Sequence, residues 1–247
     1  QGAREITLLG QNVNSYESAG VDFPELLARC GKVPGKWRLR FTTSHPRDMS
    51  KEVMRRMAAA PRLAPWIHLP VQSGSPRVLK AMNRDYSLEH YLDVIAAARE
   101  AIPDLALTTD LIVGFPGETE AEFEETVALV ERLRYDTFYA FKYSPRSGTA
   151  AARLPDDIPS ELKQARLARL LVVQRRLAHE VNQSYVGRKL EVLIEGADSR
   201  RGHVLSRTGQ NKIVVLEPQE IAPGTFRDAI IERAEGQTLY GRLCASA

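Results

Sequence analysis

The sequence holds 247 residues, 43% of them hydrophobic and 26% charged, with a net charge of +3. That length supports one large or two ordinary domains with an ample core, and no apolar run approaches the ~20 residues a membrane helix needs. The opening QGAREITLLG lacks the basic start and long apolar stretch of a secretory signal, and its two cysteines, Cys30 and Cys244, fit a reducing cytoplasm better than a disulfide framework. The mildly basic balance, with a pI near 8.9, permits a nucleic-acid partner without requiring one.

The chain begins without Met, almost inside a strand pattern, and reads as a piece of a longer protein. The apolar run ITLLG (6–10) leads into the polar GQNVNSY (10–16). Cys30 follows ELLAR on an amphipathic helix pattern and reads as a small packed hydrophobe. WRLRFTTS (37–44) is the next strand-like run and ends in TTSHP (42–46). Ser50 then caps KEVMRRMAAA, which Pro61 stops. WIHLP (66–70) runs into PVQSGS (70–75), where Ser75-Pro76 supplies a cap and a proline at the first helical position. Ser87 opens LEHYLDVIAAARE, and Pro103 ends it. LALTTDLIVGF (105–115) meets GFPGET (114–119), and Thr119 with Glu122 forms a capping box. TFYAFKYS (137–144) is the fifth run, followed by YSPRSGT (143–149).

Strands alternating with helices predict an α/β fold with a parallel sheet, open or closed into a barrel. From 156 the chain carries turn residues and then one long helix pattern, with Arg166, Arg169, Arg175 and Arg176 expected on an exposed face. After Gly187 the runs KLEVLIEG, GHVLSRT, KIVVLE, TFRDAIIERAE and TLYGRL predict a small antiparallel barrel or sandwich. The division is 1–155 for the first domain, 156–182 for a linker helix and 183–247 for the small domain.

All five strand-like runs of the first domain end in an unusually polar stretch. In parallel α/β proteins the loops at strand C-termini converge on one mouth, which is where ligands bind. A single such loop needs only turn chemistry to explain it, but five in register point to a site. Along the fourth run Asp110, Ile112 and Gly114 share one face, with Leu111 and Val113 on the other. Asp110 faces a polar interior or an Arg, or sits near water at the strand start. Gly114 removes a side chain at the rim, where a flat ring can lie against the backbone. Neither GFPGET nor QSGSP matches the phosphate-loop motifs, and His45 and His68 lack a second ligand at metal spacing.

Taken together, REITLLGQNVNSY, RLRFTTSHP, HLPVQSGS, TDLIVGFPGET and FKYSPRSGT resemble the radical-SAM methylthiotransferases, and FTTSHP resembles the branch acting on tRNA. The C-terminal segment is similar to the TRAM domain that follows in that family. The resemblance implies a partial (β/α) radical-SAM barrel, then a small all-β, OB-like TRAM barrel that binds RNA. It implies S-adenosylmethionine at the strand C-termini and two [4Fe–4S] clusters in the full-length protein. It also implies methylthio transfer to C2 of N6-isopentenyladenosine beside the anticodon, in a cytoplasmic monomer whose partner is a tRNA anticodon stem-loop. A sulfur donor or iron–sulfur carrier is a further partner that the sequence does not identify. The rivals are activity on threonylcarbamoyl-adenosine tRNA or a ribosomal protein, and a cluster-free RNA-binding protein.

The family's CxxxCxxC, expected upstream of Gln1, is absent here, so this chain is expected to bind neither cluster and to be inactive alone. Accordingly no catalytic residue and no metal ligand is assigned in it. Carried over motif by motif, Gln11 and Asn12 approach the SAM amino group, with Ser44 on the next rim loop. Gln72 and Ser73 meet its ribose or carboxylate, and Ile112, Val113 and Gly114 pack on its adenine. Tyr143 and Ser144 meet the adenine edge through their backbone, and Arg146 faces SAM or tRNA phosphate. In the small domain Arg188, Lys189, Arg200, Arg201, Arg207 and Lys212 are the candidates for RNA phosphate contacts.

Overall fold

The structure is a computed structural model that describes residues 2–42, 44–198 and 202–245. Each of the five runs becomes a strand, but a shorter one, because the polar residues at its C-terminal end leave the sheet to build loops. In chain order the first part comprises β1 (Glu5–Leu8), a small hairpin of β2 (Glu17–Ser18) and β3 (Val21–Asp22), α1 (Phe23–Gly31), β4 (Arg38–Phe41), α2 (Lys51–Ala58) and β5 (Trp66–His68). It continues with α3 (Pro76–Ala81), α4 (Leu88–Ala101), β6 (Ala106–Val113), α5 (Glu120–Leu133) and β7 (Thr137–Lys142).

All the strand pairs outside the small hairpin are parallel here: β1 with β4, β5 with β6, and β6 with β7. A single parallel bridge from Leu39 to Leu63 joins the two groups into an open, partial barrel. Alternation decides which side faces the helices. Leu39, Phe41, Ile67, Leu111, Val113 and Phe138 are buried in one apolar cluster under α1, α2, α4 and α5. Arg38, Arg40, Trp66, His68, Asp110, Ile112, Tyr139 and Phe141 therefore line the concave face.

The helix starts follow the capping signals, with one exception. Ser50 accepts from the Val53 amide, Ser87 from the His90 amide, and the Thr119–Glu122 capping box is complete. Ser75 precedes α3 but makes no cap bond; its hydroxyl turns toward Glu122 of α5 at 3.4 Å instead. Cys30 is half-buried against the main core, as expected of a packed thiol.

The long helix α6 (Ser160–Gln183) then crosses to the small domain, where β8 (Lys189–Ala197), β9 (Val204–Thr208), β10 (Ile213–Leu216), β11 (Phe226–Glu235) and β12 (Thr238–Leu243) close a barrel in the order β10-β12-β11-β8-β9. This barrel is not wholly antiparallel. The 217–225 connection carries the chain back across it, so β10 runs parallel to β12. Val192, Ile194, Val214, Ile231 and Leu239 fill its interior.

The small barrel is docked, not tethered. Its β9–β10 turn seats on the concave face at the N-terminal ends of the strands. There Arg40 donates to the carbonyls of Gly209 and Thr208 at 2.8 and 2.9 Å, and Arg38 to that of Arg207 at 3.1 Å. Lys212 reaches Asp136, just before β7, at 2.8 Å.

Candidate functional site

The loops after β1, β4, β5, β6 and β7 all leave the same edge of the partial barrel, and hydrogen bonds lock them to one another. Asn14, buried beneath the first loop, clamps the second: its Nδ2 donates to the His45 carbonyl at 2.9 Å and its Oδ1 accepts the His45 amide at 2.8 Å. Burial pushes the His45 imidazole below its usual range, which leaves Nδ1 free to accept the Arg47 amide. Ser44 ties the second loop to the third strand by donating to the His68 carbonyl at 2.8 Å. Its hydroxyl is thus a brace between two elements of the rim.

Gln72 has the geometry of a functional residue. Its φ of +73° lies in the left-handed region, which a non-glycine residue adopts at a cost of about 1–2 kcal/mol. The backbone there rejoins the sheet: the Gln72 amide donates to the Asp110 carbonyl, and the Ile112 amide to the Gln72 carbonyl, both at 2.9 Å. The side-chain amide meanwhile has no hydrogen-bond partner among the described residues. Ser73 turns the other way, with no exposed surface, and its hydroxyl accepts the Ser75 amide and approaches Thr126. It holds the loop against α5 and does not face the mouth.

On the first loop Gln11 is exposed and Asn12 half-buried. Asn12 donates its Nδ2 to Asp48, yet its buried Oδ1 has no partner among the described residues. An orphaned buried oxygen costs about 1–3 kcal/mol and calls for a missing donor. Asn12 and Gln72 together therefore offer unfilled polar contacts at the mouth.

The fourth loop is more crowded than its glycines suggest. Ile112 is half-buried on the concave face, but Val113 is fully buried on the helix side, so its side chain packs in the core. Gly114 has a φ of +71°, and a Cβ added there would sit 2.3 Å from Cγ of Lys163 on α6. The space in front of Gly114 is filled by a lysine stem. That lysine is buried, its Nζ is held by Asp156 at 2.5 Å, and the ammonium lies 5.4 Å above the ring centre of Tyr143. Tyr143 donates its hydroxyl to the Ala151 carbonyl, packs edge-on against Phe115 and pairs its amide with the Val113 carbonyl. Ser144 and Arg146 are exposed beyond it.

Beside Gly114 lies a buried ion pair that sequence reading missed. Glu118 accepts the Gly114 amide at 2.7 Å and Arg166 of α6 at 2.8 Å, and the two side chains are 1% and 3% exposed. Burial pushes the Glu118 carboxyl up, against the pull of the Gly114 amide and the Arg166 guanidinium. Arg166 was expected on an exposed helix face; it is a buried anchor, because Glu118 and Glu120 wait for it on the rim. Arg169 and Arg176 on the same helix do lie at the surface, paired with Glu124 and Glu131, and Arg175 is exposed. Downstream, Arg77 and the capping-box amide hold Glu122 at a pKa of about 2.

On the concave face Asp110 finds His68, not an Arg. The His68 ring lies 3.4 Å from the carboxylate through Nε2 and 2.9 Å from the Thr108 hydroxyl through Nδ1. Neither histidine belongs to a metal-holding cluster among the described residues.

The cationic candidates of the small barrel are mostly occupied. Arg188 pairs with Asp104, Lys189 with Asp228 and Arg207 with Glu195. Lys212 is buried against Asp136 and serves the docking of the two domains. Arg200 and Arg201 lie outside the described residues.

Comparison with known proteins agrees with this architecture. A family model described as the radical SAM superfamily matches residues 1–130, and one described as the TRAM domain matches residues 183–244. A curated tRNA-2-methylthio-N(6)-dimethylallyladenosine synthase of Acetivibrio thermocellus is 44% identical over 247 residues, which is 98% of this chain and 52% of that protein. A protein of the same name from Anaeromyxobacter sp. (strain K) is 49% identical over 250 residues, 98% of this chain and 54% of its own length. The chain thus spans about half the length of the curated relatives it matches. Among solved structures, the radical SAM enzyme coproporphyrinogen III oxidase from Escherichia coli is similar in fold, with a TM-score of 0.52 at 16% identity over 91% of this chain and 56% of that one. No helix among the described residues is long and apolar enough to cross a membrane. With its partial barrel, its rim of converging polar loops and a superfamily match over more than half its length, the chain belongs to the radical SAM superfamily.

Proposed function

We propose that this chain is the SAM-binding and RNA-binding part of a tRNA methylthiotransferase, which adds a methylthio group to C2 of N6-isopentenyladenosine beside the anticodon. The observation that carries this reading is identity of 43–49% to relatives named tRNA-2-methylthio-N(6)-dimethylallyladenosine synthase over 98–99% of the chain. In this reading residues 1–155 hold the cofactor, 156–182 form the linker and 183–247 meet the RNA. The protein acts as a monomer in the cytoplasm on the anticodon stem-loop.

The rim suits SAM. The orphaned Asn12 Oδ1 accepts a hydrogen bond from its amino group, and the free Gln72 amide meets its carboxylate or ribose. Gln11 stands beside Asn12, while Ser44 and Ser73 act behind them by fixing their loops. Ile112 flanks the adenine, with the Tyr143 and Ser144 backbone at its edge and Arg146 open to solvent. Bound SAM supplies the hydrogen-abstracting radical and the methyl group; the protein's share is to place and shield it.

The iron–sulfur clusters do not fit this chain. Its two cysteines stand on α1 and after β12, and no three candidate ligands cluster among the described residues. The cluster ligands are placed upstream of Gln1, and the residues in hand perform no step on them. The test is nucleoside analysis of tRNA from a strain lacking the gene. Loss of the 2-methylthio group from isopentenyladenosine is expected; its persistence there, with loss from threonylcarbamoyl-adenosine, refutes the assignment.

A further inference from the structure

Opposite the rim, between the concave face and the docked small barrel, lies a cavity of about 540 Å³. Four features of its lining stand together. Tyr139 and Phe141 of β7 present their rings to it while each is 54% exposed. Asn182, 1% exposed, donates Nδ2 to the Gly236 carbonyl at 2.8 Å but leaves its Oδ1 without a partner among the described residues. Gln210, at the tip of the β9–β10 turn and 8% exposed, makes no side-chain hydrogen bond among the described residues.

The buried Asn182 Oδ1 is costly to leave unpaired, and the Gln210 amide, without a protein partner, can donate as well as accept. A water molecule satisfies an amide but leaves two aromatic faces bare. A planar heteroaromatic ring with polar edges satisfies both, and a cavity of this volume admits one.

The surface leading away from the cavity adds a charge argument. β7 is the edge strand of its sheet and ends at Lys142, and past its end the chain carries Arg146 and Arg153. All three are exposed, and none has a carboxylate partner among the described residues, unlike Arg188, Lys189, Arg207 and Lys212. Tyr139 stands four residues before Tyr143, roughly 13 Å along the strand. Aromatic faces, base-reading amides and a line of free cations are the parts of a single-stranded RNA site.

We infer that the β7 edge is a track for single-stranded RNA, with one nucleobase held in the interdomain cavity between Tyr139 and Gln210. The backbone then follows Lys142, Arg146 and Arg153 toward the mouth. The held base lies on the same RNA strand as the one at the mouth, so this inference rests on the tRNA reading for its biology but not for its chemistry.

The test measures binding of two fluorescent RNAs to the 247-residue chain by anisotropy: an anticodon-loop hairpin and an unstructured oligoadenylate. Tyr139→Leu is exposed enough to leave the fold intact, which a thermal melt checks, and Gln210→Leu removes the amide alone. Each is expected to weaken binding about tenfold or more, the scale of one base–aromatic stack. In the hairpin, removing single loop bases in turn should reveal one position whose loss weakens the wild type but not Tyr139→Leu. Lys142→Ala should lower the salt slope by about one.

If every abasic hairpin loses the same affinity in both proteins, no base lies on Tyr139 and the inference is overturned. Tight hairpin binding that ignores Tyr139 and Gln210 likewise overturns it while leaving the tRNA reading in place. Tyr139-dependent binding of oligoadenylate without any hairpin binding keeps the cavity assignment and counts against the tRNA reading.

Discussion

Replacing Gly114 by Ala separates two roles that a bare backbone at the rim can play. The added Cβ at a φ of +71° costs about 1–2 kcal/mol for the left-handed conformation alone. It also lands 2.3 Å from Cγ of Lys163, in the middle of a stem whose end is fixed on Asp156. That stem cannot swing away without giving up its ion pair, so overpacking adds about 1–3 kcal/mol. The expected loss is about 2–5 kcal/mol, read from urea unfolding of the chain without any cofactor. In a Lys163→Ala background the overlap is gone and only the backbone strain remains, so the same substitution should cost about 1–2 kcal/mol. If Gly114→Ala is neutral in the cofactor-free chain, the glycine serves only a ligand. Equal losses in the two backgrounds would show that Lys163 does not occupy the space.

Two further substitutions probe how α3 and α6 are held to α5 and the loop before it at the rim. Arg77 lowers the Glu122 carboxyl from its ordinary 4.5 to about 2, so its share of stability is present above pH 4.5 and is lost as pH falls toward 2. Glu122→Gln should therefore lower stability at pH 7 and flatten the acid limb in that window; parallel curves would refute the assignment. Arg166→Met leaves Glu118 buried and uncompensated, at a cost of about 3–5 kcal/mol by urea unfolding at pH 7. Glu118→Gln in that background should restore most of it, and the single variant should recover partly as pH is lowered and the buried carboxyl takes a proton. A loss that is independent of pH and of Glu118 would place the role of Arg166 elsewhere.

The strands and most helix starts were legible because they rest on short-range rules: alternation in β6, the caps at Ser50 and Ser87, and the capping box at Thr119. The rim followed from the same rules plus topology, since parallel strands deliver their loops to one edge. What escaped was set by distance in sequence. Asn14 reads as one more polar loop residue until His45 is beside it, and Gly114 reads as open until α6 returns 49 positions later with Lys163. Ser75 carried the signal of a cap, yet a carboxylate on α5 gave its hydroxyl another partner.

The same reasoning changes where cations matter. The sequence carries 34 Lys and Arg against 31 Asp and Glu, so most basic residues can find an acid somewhere in the fold. Arg188 finds Asp104, 84 positions upstream, and Lys212 finds Asp136 in the other domain. A basic residue already paired must give up its partner to meet a phosphate, and a buried one must also leave its pocket. Position on the barrel that resembles an RNA binder is therefore a weaker guide than freedom from carboxylates. By that measure Lys142 at the end of β7, with Arg146 and Arg153 beyond it, stands ahead of the barrel candidates, because all three are exposed and no acid among the described residues pairs with them. The small barrel contributes differently: its buried Lys212 and the carbonyls of its β9–β10 turn fix it against the concave face, and that docking is what creates the cavity beside Tyr139.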